Sequence, residues 1–217
     1  MHRDDTITLA PRGILFDCDG VLVDSLESAA NAWDVWAATW APHFDFRRDI
    51  VHGQRAGDTV AQLVAVDRAA AAERELASLE LEHVAGTLAI AGAVELTASL
   101  PADRWTVVTS GLRDLARARL AAAGIAHPAG FVGAEDVTRG KPDPEPYRRG
   151  AELLGLDPAD CVVFEDAPAG IAAARAAGIG HVVGVGSDSR PGEPDVVVDD
   201  LRSVVWRDGL LEITPAP

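Results

Sequence analysis

The chain has 217 residues, 48% of them apolar, 24% charged and only 5% aromatic. That is the balance of a folded globular chain, long enough for a real core and suited to one large domain or a domain with a modest insert. Lys and Arg total 19 against 34 Asp and Glu, a net charge of −15, so the surface repels phosphate backbones. Nucleic acid and anionic membranes are excluded as partners, and an anionic substrate must be held by local cations.

In chain order, the N-terminus lacks the apolar stretch of a secretory signal, and no run of about 18 uncharged apolar residues could span a membrane. A cytoplasmic location is therefore expected, with Cys18 and Cys161, both in apolar runs, as reduced core thiols. Gly13–Cys18 (GILFDC) reads as a buried strand. From about Leu26 to Ile90 no strand is expected; Trp33, Trp36 and Trp40 share one face of a helix, and Thr59–Val66 and Ala70–Val84 continue the helical pattern. Apolar runs then return at Trp105–Thr109, Cys161–Phe164, His181–Val185 and Val196–Val198. Continuous apolar runs suit strands covered on both faces, as in parallel sheets. Helical stretches at Leu112–Ala123, Pro144–Leu154 and Ala169–Ala177 alternate with them and stop near Gly124, Gly155 and Gly178. The pattern predicts an α/β doubly wound parallel sheet with a small helical insert after the first strand: 1–26 and 92–217 form the core domain and 27–91 the insert. Asp188–Asp195 is expected to be a loop and Thr214–Pro217 a frayed tail.

The chemistry-bearing residues gather at the ends of these apolar strands. Asp17 and Asp19 (DCDG) follow the first one and start on the same side of it. Two carboxylates about 4 Å apart repel by about 4 kcal/mol at an effective dielectric near 20, so the pair requires a cation or a retained proton. Glu165 and Asp166 end another strand just before a helix. Together the four acids make an oxygen-rich set suited to Mg²⁺. Thr109-Ser110-Gly111, also between strand and helix, offers hydroxyls and amides to a phosphate oxygen. Lys141, in Gly140-Lys141-Pro142-Asp143-Pro144, is the only lysine among 19 basic residues; a compact ammonium is kept where a planar guanidinium would not serve. Four acids and one lysine leave a net −3, which would expel a phosphate dianion. A divalent ion and one proton on Asp19 bring the set to neutrality.

These motifs, in this order, resemble the haloacid dehalogenase superfamily of aspartate-nucleophile phosphatases, and the resemblance covers essentially the whole chain. More narrowly, Val51-His52-Gly53-Gln54-Arg55, Leu81-Glu82-His83 and Val107-Val108-Thr109-Ser110-Gly111 resemble bacterial sugar phosphatases and the yeast 2-deoxyglucose-6-phosphate and glycerol phosphatases. The resemblance implies a small helical cap in the insert and a small phosphate ester as substrate. Asp17 would be the nucleophile, forming an aspartyl-phosphate, and Asp19 the general acid and base. Mg²⁺ would be held by the Asp17 carboxylate, the Asp19 carbonyl and Asp166, with Glu165 supporting or joining that shell. Thr109, Ser110 and Lys141 would bind phosphoryl oxygens, and His52, Gln54 and Arg55 are candidate substrate contacts from the cap. The related β-phosphoglucomutases carry a histidine and an arginine at positions that here are Ala29 and Ala56. A phospho-accepting signalling receiver, built from similar residue types, is much shorter and lacks the insert. The oligomeric state is not legible.

Overall fold

The computed structural model of the chain describes residues 6–128 and 130–217. In order, it contains β1 (Ile7–Leu9), β2 (Gly13–Phe16), β3 (Val23–Asp24), α1 (Leu26–Trp40), α2 (Phe46–Asp49), α3 (Ala56–Leu63), α4 (Val66–Glu82) and β4 (Leu88–Ala89). There follow α5 (Ala93–Ser99), β5 (Trp105–Val107), α6 (Arg113–Ala122), α7 (Glu145–Leu153), β6 (Cys161–Glu165) and α8 (Pro168–Ala177). β7 (His181–Val185), β8 (Val196–Val198), β9 (Val204–Arg207) and β10 (Leu210–Ile213) complete it.

Five strands form a parallel sheet in the order β5-β2-β6-β7-β8. Ile14 lies opposite both Trp105 and Val162, and Val183 opposite Val196. Alternation along each strand divides the core between the two faces of the sheet. Ile14, Phe16, Val162 and Phe164 pack with Leu96 of α5 and Ala116 and Leu120 of α6. Leu15, Val163 and Val182 pack with Tyr147 and Ala151 of α7 and Ile171 and Ala174 of α8. The Phe16 and Phe164 rings stack across neighbouring strands at 5.0 Å. Helices thus cover both faces, which is why β2 and β6 are buried along their whole length and apolar up to Glu165 at the end of β6. α6, α7 and α8 stop at the glycines expected from the sequence.

α1 to α4 pack around a core of their own, in which Trp33, Trp36, Phe46, Val60 and Leu76 meet. Trp33 and Trp36 contact edge to face at 5.2 Å, and the Trp36 indole N–H donates to the Ala72 carbonyl at 2.8 Å. Trp40, at the rim, donates to Glu75 at 2.9 Å and lies under the Arg68 guanidinium.

Several expectations are corrected. The segment from Leu26 to Ile90 was expected to hold no strand, yet Leu88–Ala89 pairs antiparallel with Val23–Asp24; a two-residue strand has no periodicity to read. A second, antiparallel sheet, β1-β10-β9, was not expected. It covers the sheet face of α5, with Leu211 and Ile213 turned into the core. Thr214–Pro217 is not frayed: the Thr214 amide donates to Ser203 and the Ala216 amide to Val197, at 2.9 and 2.7 Å. The expected loop at Asp188–Asp195 overlaps a 3₁₀ helix, Ser187–Gly192.

Candidate active site

The sheet brings the ends of β2, β5 and β6 side by side, and with them Asp17, Thr109 and Glu165–Asp166. This is the edge at which open α/β sheets bind ligands. The Asp17 amide donates to the Phe164 carbonyl at 3.0 Å, so the acid leaves the sheet in register with β6. The chain then turns sharply: Leu22 and Val23 both donate to the Cys18 carbonyl. Gly20 has φ +80°, and a Cβ there would strike the Asp166 carboxylate. Only glycine allows both the left-handed turn and that close approach.

Lys141 reaches in from the loop before α7. Its Nζ lies 2.8 Å from Asp17 Oδ1 and 2.6 Å from Glu165 Oε1, and its side chain is fully buried. Tyr147, the only tyrosine in the chain, donates its hydroxyl to the same Glu165 oxygen at 2.7 Å. The Ala167 amide donates to the other at 3.1 Å. Glu165 is thus the floor that holds the lysine. Gly170 passes so close to it that a Cβ would collide with the carboxylate.

Asp17, Glu165 and Asp166 each present an oxygen within 4.8 Å of the others. Three acids against one ammonium leave an excess of negative charge in a buried place, and the ionisation equilibria show it. Burial pushes the Asp17 carboxyl up to about 7, against the pull of Lys141 and helped by repulsion from Glu165 and Asp19. Burial, then repulsion from Glu165 and Asp17, holds Asp166 well above the usual carboxylate range. Burial works against the Lys141 charge, but Asp17 and Glu165 outweigh it and raise its pKa above the ordinary lysine value. An oxygen-only donor set with surplus negative charge fits a hard divalent cation.

Thr109 is buried, its Oγ1 accepting from the Gly111 amide at 3.0 Å. The Ser110 hydroxyl donates to the Gly53 carbonyl at 2.7 Å, across the boundary with the helical insert. Arg55 crosses the same boundary: two of its nitrogens pair with Asp58 at 2.9 Å, and Nη1 donates to the carbonyls of Val137 and Thr138. All three guanidinium nitrogens are therefore engaged: Asp58, within the insert, fixes two of them, and Nη1 alone ties the insert loop to the core. His52 is exposed with its ring edge-on to Phe46, and Gln54 lines a cavity of about 550 Å³ within the insert. None of the acids at the sheet edge lines that cavity.

Asp19 stands apart from the Asp17 cluster. Its Oδ1 accepts from Ser25 at 2.5 Å and from Arg119 Nη1 at 3.0 Å, and Arg119 Nη2 donates to Glu80 of α4 at 3.2 Å. Sequence reading missed Tyr147, Arg119 and Glu80. The signal for the last two was present: Arg119 falls on the buried stripe of Leu115, Ala116 and Leu120, and Glu80 on that of Ala72 and Leu76. A charge on an apolar helix face calls for a partner.

Comparison with known proteins agrees with this geometry. The family model for a haloacid dehalogenase-like hydrolase matches residues 11–178. Hexitol phosphatase A of Escherichia coli is 40% identical over 202 residues, covering 89% of this chain and 93% of its own. Glycerol-1-phosphate phosphohydrolase 2 of Saccharomyces cerevisiae is 37% identical over 195 residues, 82% of this chain and 76% of its own. In fold, the chain resembles the crystal structure of β-phosphoglucomutase from Clostridium difficile, with TM-score 0.78 at 21% identity, covering 90% and 94% of the two chains. A parallel sheet with its acids at the edge of β2 and β6, and a motif match over most of the length, lead to one assignment: the chain belongs to the haloacid dehalogenase-like hydrolases.

Proposed function

We propose that the protein is a Mg²⁺-dependent phosphatase of small phosphate monoesters, sugar or sugar-alcohol phosphates, working through an aspartyl-phosphate on Asp17. The observation that carries this reading is the buried Lys141 between Asp17 and Glu165, with Asp166 alongside. A hexitol phosphatase and a glycerol-1-phosphate phosphohydrolase among the relatives support the substrate class. Two buried free thiols suit the reducing cytoplasm.

Asp17 attacks phosphorus, and its oxygen–phosphorus bond forms as the ester bond breaks. Asp19 gives a proton to the departing alkoxide; it then takes one from the water that frees phosphate and restores Asp17. Lys141 offsets the charge on Asp17 and, with the Thr109 hydroxyl and the Ser110 amide, holds the phosphoryl oxygens. The carboxylates of Asp17 and Asp166 and the Asp19 carbonyl would hold the Mg²⁺, while Glu165 holds Lys141. Bound there, the ion neutralises surplus negative charge and draws electrons from the phosphoryl group. Residues 27–91 act as a cap, clamped to the core through Gly53 and Arg55, which keeps bulk water from the transfer. His52 and Gln54 are left to meet the substrate; Arg55 serves the clamp. A phosphomutase reading is weaker, because Ala29 and Ala56 stand where the mutases carry a histidine and an arginine.

The test is a phosphate-release panel of hexitol, glycerol and hexose phosphates with Mg²⁺, using Asp17→Asn as the blank. We expect release by the wild type and a loss of at least about a thousandfold in the blank. Release by the blank at the wild-type rate, or no ester hydrolysed by either, overturns the proposal.

A further inference from the structure

Arg119 has no role in the chemistry above, yet it is one of the least exposed charges in the molecule, with 6% of its side chain accessible. A leucine there would simply extend the apolar stripe of α6, so packing does not account for it. Its fork spans two bodies. Nη1 meets Asp19 of the β2 turn at 3.0 Å and Nη2 meets the buried Glu80 of α4 at 3.2 Å, while Nε is buried without a partner. A plain pin between α4 and α6 would need only Glu80. The contact with Asp19 is the part a pin does not require.

The geometry at Asp19 is specific. Ser25 and Arg119 both donate to Oδ1. No donor among the described residues reaches Oδ2, which leaves it as the oxygen able to exchange a proton. A guanidinium with its two nitrogens fixed by separate acids has little freedom to rotate, so the position of Glu80 is passed on to Asp19.

We propose that Arg119 is the positioning residue for Asp19, and that Glu80 holds Arg119 in place from the helical insert. Asp19 is then aligned for proton transfer when α4 lies against α6, and it loses that alignment when the insert withdraws. This rests on the reading of Asp19 as the acid that protonates the leaving group. In that step the ester P–O bond breaks, the oxygen leaves with the electron pair, and the Asp19 proton passes to it.

The test compares kcat/KM for glycerol phosphate, whose alkoxide needs that proton, with kcat/KM for p-nitrophenyl phosphate, whose phenolate leaves without it. In Arg119→Gln we expect a fall of about a hundredfold on the alkyl ester and less than about fivefold on the aryl ester. Glu80→Gln, which keeps the shape of the side chain, should show the same skew at about tenfold, and Arg119→Lys should recover part of the alkyl activity. Thermal melts establish which variants fold; should Arg119→Gln fail, Glu80→Gln carries the comparison. Equal losses on the two esters make the cluster merely structural and overturn the proposal, as does an unchanged alkyl rate in Glu80→Gln. A wild type that hydrolyses neither ester contradicts the phosphatase reading itself, a different failure from either of these.

Discussion

Asp17 and Asp19 follow the same strand, yet they are held in different ways. Asp17 is buried, and its cation, Lys141, is fixed from below by Glu165, Tyr147 and the Ala167 amide. Every one of these partners belongs to the core domain: the end of β6, the loops beside it, and α7. Asp19 is a third exposed, and its cation, Arg119, is shared with Glu80 of the insert. A point charge serves where two acids converge on one spot in a closed space; a fork serves where two acids stand apart on separate parts of the chain and must be joined. One cluster is rigid by construction, and the other depends on how two parts of the chain meet.

That contrast can be broken at its cations first. Lys141→Arg should lower phosphate release at least about tenfold, roughly 1.4 kcal/mol in the barrier, because the larger planar head has no room beside Tyr147. A fully active variant would make the lone lysine accidental. The floor comes next. Gly170→Ala drives a Cβ into Glu165 and should cost about 1–3 kcal/mol of stability by denaturant unfolding; an unchanged midpoint would show that Glu165 is free to move.

The ionisation of Asp17 sharpens the contrast further. Its carboxyl rises from 3.8 to about 7 on folding, so the metal-free folded chain holds a proton that the unfolded chain has lost between these values. That contribution is fully present below the unfolded value and disappears as pH rises through about 7. A cation must displace the same proton. Added Mg²⁺ should therefore raise Tm more at pH 8 than at pH 5.5, and equal gains at both would separate the metal from Asp17. The smallest effect belongs to Tyr147→Phe. It removes one of three donors to Glu165 and should cost about 0.5–1.5 kcal/mol of stability with less than a tenfold change in activity. A larger kinetic loss would give the hydroxyl a part in the reaction.

Much of the make-up of the rigid cluster was legible in the sequence, because acids at the ends of apolar runs mark the strand ends, and a single lysine at a proline-stiffened corner stands out from 18 arginines. β7 and β8 fall where the apolar runs placed them. The bridging cluster was not read, since Arg119 and Glu80 lie 39 residues apart on helices that look ordinary one at a time; only the packing of α4 on α6 gives them meaning. The antiparallel strands β1, β9 and β10 were missed too. β1, three residues long, pairs with the far end of the chain, which no local pattern records, whereas the β9–β10 hairpin carries a local signal that went unread, Asp208-Gly209 between two apolar runs.

The central claim is that a divalent cation lets this crowd of carboxylates accept one more anion. Phosphate release from the best ester of the panel, measured on one preparation with Mg²⁺, with excess chelator, and after Mg²⁺ is restored, tests it most directly. The account predicts activity, its loss, and its return. Undiminished release in the chelator would contradict it.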